Sequence, residues 1–214
     1  MLRQVHDALL AAFGPQGWWP ADGPFEVAVG AVLTQNTAWR NVERAISDLR
    51  EAELLSPRAM IDAPHGALAA AIRPSGYFNV KARRLKALCR HWLDLGGADG
   101  LAARDTDDLR RGLLTVTGVG PETADDIVLY AFDRPVFVID AYTRRILSRL
   151  GIIDGDEGYD DLRGRIESRL GSDTALFNEY HALLVRLGKD ICRPAPRCGE
   201  CPLENICPVG RGAA

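Results

Sequence analysis

Asp140 follows the short apolar run Val138-Ile139 and precedes a helical pattern. A carboxylate in that place can cap a helix start by accepting from first-turn N–H groups. It can also stabilise a developing positive charge or orient a water. Upstream, Thr117-Gly118-Val119-Gly120 separates two helical patterns, and Pro121 opens the second. Proline fits a first turn, where its missing N–H is not needed. The glycines allow another backbone to approach closely, and the N–H groups of a helix start form an anion site suited to phosphate. Near the chain's end, Cys192, Cys198, Cys201 and Cys207 follow the spacing C-x(5)-C-x(2)-C-x(5)-C. So short a loop cannot build its own core, so a bound metal would organise it. Zinc and a [4Fe-4S] cluster both take four cysteines, and spacing alone does not choose between them. The adjacent Trp18 and Trp19, with Pro20, read either as a packing plug or as a stacking wall for a base drawn out of a duplex.

The elements that would carry these residues are helices. Leu2 to Phe13 has Val5, Ala8, Leu9, Ala12 and Phe13 at helical spacing. A second helix follows Gly23-Pro24 through Leu33, and a third holds Val42, Ile46 and Leu49, with Asn36 and Thr37 as candidate N-caps. A polar stretch, Ser56 to Pro64, leads to a short helix with Leu68 and Ile72. The next helix is basic through Lys81, Arg83, Arg84, Lys86 and Arg90, and its apolar face is Leu85, Leu88, Cys89 and Trp92. That face makes Cys89 a core residue. Gly96-Gly97 breaks the helix, and Asp105, Asp107 and Asp108 open another that runs into the hairpin. Beyond it come Ala124, Ile127, Val128 and Ala131 on one face. A basic amphipathic helix with Ile139, Ile146 and Leu150 follows, then an acidic linker (Gly151 to Gly158) and helices over 160–170 and 174–187. The only candidate strand, Val136 to Ile139, is too short to assign, so the fold class is all-α.

The chain has 214 residues and a net charge of −3. The charge sum argues mildly against a polyanion partner, but acids gather at 105–108 and 154–161 and bases at 81–90 and 144–149, which permits one basic face. No apolar run is long enough to span a membrane, and the N-terminal segment reads as a mature amphipathic helix rather than a signal peptide. Crowded cysteines in such a chain suit metal ligation in a reducing cytoplasm.

The pattern L-x(4)-GVG-x-x-TA from Leu113, followed by V-x-D ending at Asp140, resembles the helix-hairpin-helix and catalytic aspartate of the endonuclease III superfamily of DNA glycosylases. The resemblance implies two helical domains with a DNA cleft between them. One would be a barrel over 23–132 with the hairpin at about 113–124. The other would combine 1–22 and 133–214 and carry a cluster loop at 192–207. It implies a monomer, in the cytoplasm at the nucleoid, acting on double-stranded DNA that contains a damaged base. It implies one structural [4Fe-4S] cluster on Cys192, Cys198, Cys201 and Cys207, although the first gap is one residue shorter than the family's. DNA contacts would come from Gly118, Val119, Gly120 and Thr123 in the hairpin. Tyr77, Asn79 and Lys81 lie in a loop similar to the family's G-x-[YF]-N-x-K-A segment, with Tyr77 at the wedge position. Arg144 and Lys189 would join them on phosphates, with Arg193 and Arg197 of the cluster loop. Gln35 matches a glutamine that fills the gap left by the extruded nucleotide.

Bifunctional members carry a lysine two residues after the second hairpin glycine, and here that residue is Glu122. A carboxylate cannot form the imine needed for strand cleavage. The resemblance therefore implies a monofunctional glycosylase in which Asp140 stabilises an oxocarbenium-like transition state. Trp-Trp-Pro, and Thr34-Gln35-Asn36-Thr37 followed by Trp39, resemble the 3-methyladenine branch of the superfamily. Trp18, Trp19, Pro20, Gln35 and Trp39 would then line a base pocket. Trp19, Pro20 and Trp39 would form a cage attractive to a cationic alkylated purine. The alternatives are a mismatch or oxidised-base glycosylase, with or without weak lyase activity, and a non-catalytic iron–sulfur DNA-binding protein.

Overall fold

The computed structural model describes residues 1–212, and all regular structure among them is helical. In chain order the helices are α1 (Leu2–Phe13), α2 (Pro24–Leu33), α3 (Trp39–Glu51), α4 (Pro57–Asp62), α5 (His65–Ala71), α6 (Phe78–Asp94) and α7 (Gly97–Ala102). They continue with α8 (Thr106–Leu114), α9 (Pro121–Phe132), α10 (Ala141–Arg149), α11 (Tyr159–Leu170), α12 (Thr174–Asp190) and α13 (Pro208–Arg211). The chain divides into two compact units, one of residues 19–134 and one that joins 1–18 to 135–214.

The central unit is built on α2 and α9. Every residue from Glu26 to Leu33 and from Thr123 to Tyr130 is buried, as expected of helices surrounded on all sides. The two pack on each other, and α3 and α6 also pack on α2. Between α8 and α9, Arg110 donates from Nε and Nη2 to the two oxygens of Asp125, at 2.5 and 3.3 Å. This buried, two-pronged pair stiffens the helix pair that carries the hairpin.

Several local expectations change. The polar stretch after Ser56 contains α4, because Ser56 accepts from Ala59 N–H at 3.2 Å and Pro57 opens the turn. The Gly96-Gly97 break is followed at once by α7. Neither Asn36 nor Thr37 caps α3; the cap position is Ala38, which offers no side-chain acceptor.

The largest change concerns the basic helix α6, whose cations mostly turn inward. Lys81 is 1% exposed, and its Nζ donates to the carbonyls of Leu33 and Ser75 at 2.8 and 2.7 Å. Lys86 donates to the carbonyls of Ile61 and Ala63. Carbonyls at helix ends lack intrahelical partners, and lysine supplies them at the ends of α2 and α4. Lys81 is thus not a phosphate contact. Arg83 and Arg90 remain exposed.

In the second unit α1 and α10 pack on α12. Tyr180 Oη donates to the Leu2 carbonyl at 3.0 Å, and Phe137 packs edge-on against Phe177 and Tyr180. Val136 to Ile139 belongs to no regular element, and Ile139 precedes α10 rather than belonging to it.

Candidate nucleic-acid interface and active site

The hairpin between α8 and α9 is held by a network inside the central unit. Gly118 has φ +88°, and a Cβ there would lie 2.3 Å from Arg84 Cγ, so only glycine admits the arginine stem against the turn. Arg84 then donates to Gln35 Oε1. Gln35 Nε2 in turn donates to the Gly118 carbonyl at 3.1 Å and to Thr123 Oγ1 at 2.9 Å. Gln35 is therefore committed to the hairpin, and filling a gap in DNA would require it to break these bonds. Thr123 is buried and serves as an acceptor in this network. Val119 is also buried, and its N–H closes the turn on the Val116 carbonyl at 3.0 Å. Neither is placed to meet a phosphate through its side chain. What faces outward is the exposed Gly120, in extended backbone at the N-cap of α9 without any side-chain cap, and Pro121 and Glu122 beyond it. Glu122 lies exposed in the first turn of α9.

Tyr77 is the N-cap residue of α6, with φ +46° and ψ 29°, and is 71% exposed. A bulky residue held in the left-handed region is strained, and here the strain presents an aromatic ring to solvent. Val80 and Asn79 are exposed beside it in sequence.

The structure brings Trp19 and Trp39 together, with ring centroids 5.1 Å apart and planes at 89°. Tyr130 of α9 joins them at 5.3 Å from Trp19. The indole packs so closely on α2 that a Cβ on Gly30 would lie 3.0 Å from it. Trp39 Nε1 donates to Glu43 at 2.9 Å. Pro20 is exposed, and Trp18 belongs to the other unit. Sequence reasoning missed Tyr130, whose signal was a hydroxyl-bearing aromatic within the apolar run from Ile127 to Ala131.

In the second unit Asp140 is buried and is the N-cap of α10. Its Oδ1 accepts from Thr143 N–H at 2.6 Å, and Oδ2 lies 3.7 Å from His181 Nε2. Burial alone would push its carboxyl up. The hydrogen bonding and charge of His181, with the Thr143 N–H and hydroxyl, outweigh it and hold the carboxyl below the usual range. His181, on α12, was missed in the sequence because it sits inside an apolar run beside Tyr180 and Leu183.

Cys192, Cys198, Cys201 and Cys207 line one cavity with Arg149, Pro196 and Glu204 among its other walls. Burial pushes the Cys201 thiol up, as do the charges of the other three. Among the described residues no three His, Cys, Asp or Glu side chains converge to hold a single ion. The loop is tied to α10 by arginines. Arg145 donates to the carbonyls of Gly188 and Cys192, both at 2.9 Å. Arg149 donates to Cys192 Sγ at 3.2 Å and to the carbonyls of Arg193 and Pro194. Arg144 donates to the Glu157 carbonyl at 3.0 Å, and Lys189 is exposed. Cys89 is buried apart from this group, and burial pushes its thiol up to about 12.

Residues 29–171 match the HhH-GPD superfamily of base excision DNA repair proteins. The chain is 43% identical over 97% of its length to a Methanocaldococcus jannaschii protein described as a "Putative DNA repair glycosylase", of which it covers 96%. It superposes on endonuclease III in a trapped covalent DNA intermediate with a TM-score of 0.84 and 25% identity, covering 99% of this chain and 96% of that one. It is also similar to the H. pylori 3-methyladenine DNA glycosylase bound to 1,N6-ethenoadenine, with a TM-score of 0.74 and 30% identity over 88% of this chain and 95% of that one. Taken together with the helical fold and the hairpin, these matches show that the chain belongs to the HhH-GPD superfamily of base excision DNA repair proteins.

Proposed function

We propose that the protein is a monofunctional DNA N-glycosylase that removes an alkylated purine such as 3-methyladenine from double-stranded DNA. The observation that carries this reading is Asp140, a buried carboxylate held in its charged form at the start of α10. As the glycosidic bond breaks, positive charge develops on the sugar. A fixed carboxylate in a poorly solvated site stabilises that charge without reorganisation. Water adds at C1′, and Asp140 accepts its proton or orients it. A cationic alkylated base departs neutral, so the chain needs no strong general acid.

Strand cleavage would require an amine at the hairpin, and Glu122 stands there instead. The Trp19–Trp39–Tyr130 group offers electron-rich ring faces, which favour a cationic base over a neutral one. Gly120 and the first-turn N–H groups of α9 would meet a phosphate. Tyr77 would enter the duplex as the wedge, and Asn79, Arg83 and Lys189 would contact backbone. We assign the four cysteines to one [4Fe-4S] cluster. The four thiols that line one cavity are the donor set such a cluster takes. When bound, the cluster would supply a covalent tie across a loop that has little core of its own, with Arg145 and Arg149 orienting that loop on α10.

The similarity to endonuclease III favours a second reading, an oxidised or mismatched base as substrate. A base-release assay over a lesion panel decides between the two. Methylated duplex should yield free 3-methyladenine, and oxidised-pyrimidine and G·T duplexes should yield no base. Release confined to the latter two would overturn the alkylpurine assignment, and release from none would leave a DNA-binding protein without glycosylase activity.

A further inference from the structure

We propose that His181 is a positioning residue for Asp140, facing from α12 the carboxylate oxygen that does not accept from the Thr143 N–H. The inference rests on the reading of Asp140 as the catalytic carboxylate. One oxygen, Oδ1, is fixed by Thr143 N–H at 2.6 Å. The helix start supplies the N–H and the hydroxyl of Thr143 as partners. The second oxygen faces His181 Nε2 at 3.7 Å, and the two side chains are only 11% and 6% exposed. That separation is long for a hydrogen bond but within ion-pair reach, as catalytic contacts often are before substrate binds. Together the two contacts define the carboxylate plane.

Packing does not ask for histidine here. His181 lies among Phe177, Tyr180, Leu183 and Leu184, all buried on α12, where an aliphatic residue would be cheaper to desolvate. The other charged or titratable groups on the elements packed nearby are engaged elsewhere. On α10, Arg144 turns to the Glu157 carbonyl, and Arg145 to the carbonyls of Gly188 and Cys192 and over the Tyr142 ring. On α1, His6 packs on Tyr180 and pairs with Asp7. Tyr180 donates to Leu2, and Tyr159 Oη accepts from Ile139 N–H at 3.3 Å. Glu167, on α11, accepts from Phe137 N–H. His181 and Thr143 are the groups whose bonding offsets the burial of Asp140.

The sign of the effect follows. Burial favours the protonated acid, and His181 opposes it. Without His181 the carboxyl should protonate at higher pH, and a protonated acid cannot stabilise positive charge. The acid limb of the rate profile should therefore move up when His181 is removed.

The test is single-turnover base release from methylated duplex across a pH series, with duplex affinity measured in parallel. For His181→Ala the acid limb should rise by about one pH unit or more, and the rate at neutral pH should fall about tenfold. The Kd for DNA should stay within about twofold. His181→Gln, which keeps a donor, should recover most of the rate. An acid limb unchanged in His181→Ala, or a His181→Gln profile no different from His181→Ala, would overturn the proposal. Should His181→Ala fail to fold by circular dichroism, His181→Asn, which is polar but too short to reach, replaces it with the same expected and contrary outcomes. Asp140→Asn separates the two levels of the argument. Undiminished base release in that variant would refute the role of Asp140 itself, whereas its loss with an unmoved acid limb in the His181 variants would refute only the role of His181.

Discussion

Two helix starts on this chain solve the same problem in opposite ways. At α9 the N-cap is Gly120, extended and exposed, with Pro121 behind it and no capping bond from a side chain at the cap position. At α10 the N-cap is Asp140, buried, with its own carboxylate accepting from Thr143 N–H at 2.6 Å. Every helix start presents orphan N–H groups and a positive dipole end. Leaving them open makes a place for an external anion. Closing them with an internal acid consumes that place, but fixes a negative charge beside whatever approaches. The first suits a phosphate and the second a cationic transition state. The difference teaches that glycine and aspartate at a cap can mark two kinds of chemistry, not two strengths of the same cap.

The comparison can be broken most severely at Asp140. Asp140→Asn should lower single-turnover base release by about 10³-fold or more, since charge stabilisation is lost. At neutral pH the stability lost should be only the part owed to the charge, because asparagine caps a helix about as well. The same variant has a pH signature. The carboxyl of Asp140 lies below its usual range in the folded protein. It therefore contributes stability that is fully present above its unfolded value and lost as pH falls through the folded one. Urea midpoints on the acid side should accordingly fall less steeply in Asp140→Asn than in the wild type.

Gly118→Ala tests the open start. The new Cβ must displace the Arg84 stem at a backbone with φ +88°, loosening the arginine that holds Gln35. DNA affinity should weaken by about 10- to 100-fold, together with about 1–3 kcal/mol of stability. Unaltered affinity in filter binding would show that the hairpin does not carry the phosphate contact. At Tyr77 the two properties should separate. Tyr77→Gly should raise the unfolding free energy in urea titration slightly, by about 0.5–1 kcal/mol, because φ +46° is relaxed. It should also reduce base release about tenfold by removing the wedge. The smallest effect belongs to Glu122→Gln. An exposed acid in the first turn of α9 favours the dipole but opposes a phosphate. Neutralising it should tighten DNA binding about two- to threefold at low salt, with no gain of strand cleavage.

The helical fold class and the hairpin were legible in the sequence because both rest on local signals: apolar residues at helical spacing, and glycine before Pro121. Asp140 was legible as a cap for the same reason. The direction of the α6 cations was not. Lys81 and Lys86 read as a charged stripe, yet they meet carbonyls that end α2 and α4, and a sequence does not show where distant helix ends lie. Gln35 was read as the residue that fills the gap left by an extruded nucleotide, and its partners in the hairpin, Gly118, Thr123 and Arg84, are far from it in the chain. His181 was hidden by its setting, since an apolar run reads as core and the carboxylate that faces it is equally remote in sequence. Tyr130 was concealed by the same kind of apolar neighbourhood.

The central claim is that this chain breaks the glycosidic bond through a carboxylate, without an amine. It is tested most directly by incubating a methylated duplex with excess protein and borohydride, then measuring free base and covalent protein–DNA adduct in the same sample. Free 3-methyladenine should appear with no adduct, and that release should be lost in Asp140→Asn. An adduct forming in step with base release would contradict it, because it would require an imine that Glu122 cannot form.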